Sequence, residues 1–221
     1  MDHHIDRHFD DALAALKQQI LMMSERVESM IADCITALQK RDAGLAAKII
    51  EADHSVNALE MSIDEQCIHL LARYQPAASD LRFITRGLKI ATDLERIGDL
   101  AVNFAQRVID IVKEGSPGVD LTNMASIVQA MLKESLEAFV NSDAEKAEGV
   151  FLKDDTVDEM TETIVTELIE RASREPQSAK KLFPATSIVR YLERVADHAT
   201  NIAELAIYMV KGRDIRHGMP H

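Results

Sequence analysis

The sequence predicts an all-α protein, built as two tandem three-helix units that together form a pseudo-twofold six-helix bundle. Three observations predict it. Apolar residues recur at helical spacing through six separate segments. Apolar residues make up 47% of the chain, yet there are only 8 Gly and 5 Pro, too few for the many turns of an all-β fold. The pattern of the first half then returns in the second.

The first helix is marked by Phe9, Leu13, Leu16, Ile20, Met23, Val27, Met30, Cys34 and Leu38. The gaps alternate mostly between four and three, the spacing of long bundle helices. Arg41-Asp42-Ala43 breaks the stripe, and Asp42 is placed to cap the next helix. That second helix shows Leu45, Ile49, Ala52, Val56, Leu59, Ile63, Cys67 and Leu70. It ends near Tyr74-Gln75-Pro76, because proline disfavours helix in the residue before it. Ser79 or Asp80 can cap a third helix that runs to about Lys113.

Glu114-Gly115-Ser116-Pro117-Gly118 is the strongest punctuation in the chain. A fourth helix is expected from about Thr122 to Val140, and Asn141-Ser142-Asp143 repeats the earlier break. A fifth runs to about Ser173, with Pro176 repeating Pro76. A sixth starts near Pro184, a residue suited to a first helical turn, and runs to Lys211. The closest internal match joins the third and sixth helices. Leu94-Glu95-Arg96-Ile97-Gly98-Asp99 corresponds to Leu192-Glu193-Arg194-Val195-Ala196-Asp197, and Asn103 to Asn201. Asp53-His54-Ser55-Val56 likewise corresponds to Asp154-Asp155-Thr156-Val157. The expected units are residues 1–114 and 119–221.

A formal net charge of −12 sets the surface against a phosphate backbone, so no direct nucleic-acid partner is expected. Cys34 and Cys67 lie on apolar helix lines and read as reduced core residues. No apolar run approaches the ~18 residues of a membrane span. Met1-Asp2-His3-His4 has no hydrophobic signal region, and the expected compartment is the cytoplasm.

The candidate chemistry lies on the third and sixth helices. Glu95 interrupts an apolar line between Ala91 and Gly98, and Asp99 comes one turn on. Glu193 and Asp197 repeat this arrangement. Acids at i and i+4 share one helix face with Cβ atoms roughly 5–6 Å apart, where they repel unless paired. A bound cation relieves that repulsion and the cost of an acid on an apolar line. Oxygen ligands suit Mg²⁺, Mn²⁺ or iron, and Zn²⁺ also accepts carboxylates. Asp154 and Asp158 on the fifth helix form another such pair, matched by Asp53 and Asn57 in the first half. The competing readings stay open at this stage: Arg96 and Arg194 could neutralise the acids, and Asp154 and Asp158 could sit in a solvated first turn.

Glu51-x-x-His54 has the spacing of a di-iron bundle motif, but the second half has Leu152-x-x-Asp155 there, which argues against an oxidase. His69 is expected to be packed, and His3, His4, His8, His217 and His221 to be solvated. Arg82, Arg86 and Arg190 read as surface charge, with anion contact as the alternative. No GxSxG, Walker A or HExxH motif is present, so no enzyme is expected.

At Leu94-Glu95-Arg96-Ile97-Gly98-Asp99-Leu100-Ala101-Val102-Asn103 and Tyr191-Leu192-Glu193-Arg194-Val195-Ala196-Asp197-His198-Ala199-Thr200-Asn201, the chain resembles the PhoU family of phosphate-uptake regulators. The resemblance runs from about Phe9 to Lys211 and includes Gln75-Pro76-Ala77-Ala78-Ser79-Asp80-Leu81-Arg82. It implies a PhoU-like bundle that forms homodimers. It also implies a non-enzymatic negative regulator of phosphate uptake and of the phosphate-starvation response. The implied partners are the ATPase subunit of the phosphate ABC transporter and the phosphate sensor histidine kinase, with the membrane reached only through them. It further implies iron, zinc or nickel held by acid-x-x-x-Asp motifs. Carried onto this chain, those are Glu95 with Asp99 and Glu193 with Asp197. Asn57 departs from the acidic pattern, so the two sites would differ in occupancy or metal. A carboxylate-rich protein for metal storage or metal chemistry is the alternative function.

Overall fold

The computed structural model describes residues 2–76 and 78–211. Six long helices account for nearly all of them. They are α1 (Asp2–Lys40), α2 (Ala43–Tyr74), α3 (Ala78–Glu114), α4 (Thr122–Asn141), α5 (Ala144–Arg174) and α6 (Ala179–Lys211). A short 3-10 turn, Pro176–Ser178, precedes α6. None of these helices is long and apolar enough to cross a membrane.

The α1–α2 and α4–α5 turns are one turn used twice. Arg41 and Ser142 adopt left-handed conformations with φ of 51° and 52°. After each, the chain reaches back: Asp42 N–H donates to the Ala37 carbonyl and Asp143 N–H to Ala138, both at 2.9 Å. These are Schellman closures of α1 and α4. The same two aspartates then cap the next helix, Asp42 accepting from Leu45 N–H at 2.9 Å and Asp143 from Lys146 N–H at 3.0 Å.

Two helix starts differ from expectation. α3 begins at Ala78, which places Asp80 within its first turn, where a negative charge suits the helix dipole. α6 begins at Ala179 and carries Pro184 inside it. The missing N–H at Pro184 leaves the Lys180 carbonyl without its i+4 partner. Lys180 is exposed, so water can take that bond and the helix continues.

Helices α1, α2 and α3 pack on one another, as do α4, α5 and α6. The units meet through α3 against α6, with α1 against α4 beside them, leaving α2 and α5 outermost. One hydrophobic core runs through both units, from Leu16 and Met23 through Phe104 to Val128, Leu192 and Ile207. Both cysteines are free and buried within it. The Cys34 thiol donates to the Ala101 carbonyl at 3.2 Å. Burial pushes the Cys67 thiol up to about 12 and Cys34 higher still, so neither is a ready thiolate.

The repeat is incomplete at one place. α1 has 39 residues and α4 only 20, so the first half of α1 has no counterpart. The inter-unit linker fills the gap. Val119 packs on a small cluster of Leu168, Leu182 and Ala185, and Leu121 is buried. The Arg171 guanidinium donates to the Pro117 carbonyl at 2.8 Å and the Gly118 carbonyl at 3.4 Å. Gly115 and Gly118 take φ of 99° and 65°, which lets the linker fold back.

Candidate functional site

The buried line of α2 is Ala46, Ile49, Val56, Ile63, Cys67 and Leu70. At helical spacing, Asp53 and Glu60 fall on that same line. The line of α5 is Ala147, Val150, Val157, Thr161 and Leu168, with Asp154 on it. The stripe expected from the sequence shares Ile49, Val56, Ile63, Cys67 and Leu70 with this line, but passes through Leu45, Ala52 and Leu59 and so skips Glu60. Two interruptions of one core line were the signal available.

In the first unit, these acids meet Glu95 and Asp99 of α3. Asp53 Oδ2 accepts from Asn57 Nδ2 at 3.0 Å, while Asp53 Oδ1 is buried with no partner. Gly98 makes the room, since a Cβ there would stand 3.3 Å from Asp53 Oδ1 and 3.2 Å from Val56 Cγ1. Burial and then the Asp99 charge raise the Glu95 carboxyl above its ordinary range, against the pull of Arg96 and His198. Burial and then Glu95 raise Glu60 as well. Arg96 stands 3.6 Å from Glu95 and 3.7 Å from Asp99, long pairs on the exposed side of α3 that leave Asp53 unpaired.

The second unit gathers the other four expected acids between α5 and α6. Asp154 is half-buried with Oδ1 unpartnered, and its carboxyl is pushed up to about 6 by burial, Asp158 and Asp197. Asp158 is raised by burial and then Glu193, and Asp197 by burial, Glu193 and Asp158. Asp158 and Asp197 form the exposed rim. Arg190 grips Glu193 with bonds of 3.0 and 2.9 Å, while Asp197 feels only the weaker pull of His198 and Arg194 against the neighbouring carboxylates. Thr161, 2% exposed, keeps its hydroxyl unpartnered on the same α5 line.

The expected residues therefore form two clusters. Glu95 and Asp99 lie in one; Asp154, Asp158, Glu193 and Asp197 lie in the other. Asn103 and Asn201 join neither, Asn103 donating to the Asp99 backbone and Asn201 toward Asp93. Among the described residues, no three His, Cys, Asp or Glu side chains stand close enough together to hold an ion as placed. The donor chemistry does suit a hard cation. Each cluster is all oxygen, holds a buried carboxylate oxygen without a partner, and has small residues, Gly98 or Ala196, beside it.

Glu51 and His54 are both exposed, on the solvent side of α2. His69 is also exposed rather than packed, because its position lies on the solvent face of α2. The side chains of His3, His4, His217 and His221 lie outside the described residues. Arg86 is no plain surface charge, since its guanidinium lies 3.9 Å over the Tyr208 ring and its Nε is buried.

A family profile described as the PhoU domain matches residues 20–108 and again 121–206. The chain is 42% identical to the phosphate-specific transport system accessory protein PhoU homolog of Pseudomonas aeruginosa, over 98% of this chain and 91% of that protein. It is 33% identical to the PhoU accessory protein of Escherichia coli K12 over the same shares. The crystal structure of Pseudomonas aeruginosa PhoU superposes with a TM-score of 0.90 at 40% identity, covering 93% of this chain and all of that one. Streptococcus pneumoniae PhoU, a phosphate transport system regulatory protein, gives 0.85 at 30% identity, covering 93% and 98%. With the profile matched twice and relatives alike over nearly the whole length, this chain belongs to the PhoU family.

Proposed function

We propose that this chain is a negative regulator of phosphate uptake and of the phosphate-starvation response. It acts in the cytoplasm as a non-enzymatic adaptor and homodimer, between the ATPase subunit of the phosphate ABC transporter and the phosphate sensor histidine kinase. It reaches the membrane only through them and does not bind nucleic acid. The observation that carries this reading is full-length likeness to proteins named as accessories of the phosphate-specific transport system. Its helical faces, without a nucleophile motif or phosphate-cradling loop, suit docking rather than turnover. The test is a phosphate-starvation reporter in a deletion strain grown in ample phosphate. The reporter switches on if the reading is right, and a reporter that stays off rejects it.

The acid clusters are read as cation sites. Asp53, Glu60, Glu95 and Asp99 would hold one, and Asp154, Asp158, Glu193 and Asp197 the other. A hard divalent ion such as iron, manganese or magnesium, or zinc or nickel, would supply the positive charge that lets these carboxylates stay ionised where they are buried. The buried, unpartnered oxygens of Asp53 and Asp154 favour this reading over simple ion pairing. Protein purified without chelator should carry metal, and Glu95→Gln with Glu193→Gln should remove most of it. Unchanged metal content in that double variant sinks the proposed sites. Metal storage becomes the leading function only if metal is present and the deletion strain's reporter stays off.

A further inference from the structure

The two outermost helices, α2 and α5, present unlike faces to solvent. On α2 one stripe of exposed residues runs from Ala47 to Ala72, with gaps of four and three in strict alternation. Ala47, Ala58, Met61, Ile68 and Ala72 make it mostly apolar, with Met61 71% and Ile68 62% exposed. Glu51, His54 and Glu65 are its polar members. That alternation is the spacing by which one long helix packs along another.

The stripe is centred between Ala58 and Met61, so a second copy of α2 laid antiparallel across it presents the same stripe reversed. Ala58 then stands opposite Met61 of the second copy, small against large, and Ala47 opposite Ala72. His54 stands opposite Glu65, an imidazole N–H against a carboxylate acceptor. Glu51 falls opposite Ile68, and the exposed His69 beside that isoleucine offers its carboxylate a donor. Each pairing occurs twice about the twofold axis, as an isologous contact requires.

The repeat mate of this face rejects a copy of itself. On α5 the stripe is again exposed, but Asp155, Glu159 and Glu162 take the places of His54, Ala58 and Met61. Laid antiparallel on itself, it would set Glu159 against Glu162. A chain of net charge −12 repels its own copies, so a contact between them needs a face that the acids have largely left. α2 offers that face and α5 does not.

We infer that two copies of this chain join through the outer stripe of α2, antiparallel and centred between Ala58 and Met61, and that α5 takes no part. This rests on the homodimer reading above and gives that dimer its interface. One such stripe per chain closes the assembly at two copies.

The test is sedimentation equilibrium of the full chain, with helical circular dichroism to check that each variant is folded. The wild type should be a dimer. Met61→Glu, which installs the acid of its α5 mate, should raise the dimer dissociation constant about tenfold or more. Ile169→Glu, at the exposed α5 mate of Ile68, should leave it unchanged. His54→Glu sets carboxylates against each other and should weaken the dimer. His54→Glu with Glu65→His should restore it, because the exchanged residues still face each other across the axis. A dimer that Met61→Glu leaves intact, that Ile169→Glu weakens as much, or that the exchange fails to restore overturns the interface and keeps the homodimer. A monomeric wild type overturns both.

Discussion

Asp154 is the residue whose environment departs furthest from what a carboxylate prefers. Its pKa rises from 3.8 to about 6 in the folded chain, through burial and the neighbouring Asp158 and Asp197. Between those two values the folded chain binds the proton and the unfolded chain does not. Stability therefore falls as pH rises from about 4 to 6 and is level above that. With the half-exposed carboxyl screened by water, the shift corresponds to roughly 1–2 kcal/mol. In protein stripped of metal by chelator, Asp154→Asn should raise the melting temperature at pH 7 and leave it nearly unchanged at pH 4. An equal effect at both pH values would show that burial of the charge is not the cause. Gly98 makes the complementary case. Replacing it by Ala gains roughly 0.5–1 kcal/mol of helix propensity but presses a Cβ against Asp53 and Val56, so the two effects should nearly cancel. Gly98→Leu gains nearly the same propensity, but its longer side chain overpacks the site and should still cost about 1–3 kcal/mol in urea denaturation.

At the scale of elements, the caps are the simplest quantities to check. Asp42 and Asp143 perform the same bond at the starts of α2 and α5. Asp42→Ala and Asp143→Ala should each cost about 1 kcal/mol. The double variant should cost their sum, since the turns share no partner; a shortfall would mean that the turns are energetically linked. These turns were legible in the sequence because cap chemistry is local. The stripe of α1 was legible because burial enforces its period. The facing of α2 was legible in Ile49, Val56, Ile63, Cys67 and Leu70, but not in its acids. A stripe through Leu45, Ala52 and Leu59 and one through Ala46, Asp53 and Glu60 differ by one residue, and hydrophobicity chooses the first. Only the pairing of Asp53 with the gap at Gly98 shows that α2 also turns its acids inward. The start of α6 was misread for a different reason: a proline allowed in a first turn is also tolerated where the carbonyl it strands faces water.

For the whole molecule, the continuity of the core decides how it melts. α3 and α6 each complete the other's burial, so neither unit owns a closed interior. Scanning calorimetry should give one cooperative transition, with calorimetric and van't Hoff enthalpies equal. Two resolved transitions would mean the seam is weaker than its packing indicates. The twofold plan was readable in the sequence because whole segments recur. The 2.9 Å contact between Asp93 Oδ1 and His198 Nδ1 was not, because its ends lie 105 positions apart and neither repeat contains both.

The short α4, with the linker folded in beside α5 and α6, bears on how the protein is made. The first unit leaves the ribosome with its three helices complete, while the α3 surface that α6 covers still faces water. The second unit reaches its final packing only with Val119 and the Pro117 and Gly118 carbonyls, which precede it in the chain and are held in turn by Leu168, Leu182, Ala185 and Arg171. Assembly thus has a direction, in which the earlier half is a template for the later one. During the interval between them, that waiting apolar strip is the part of the nascent chain most in need of a chaperone's cover.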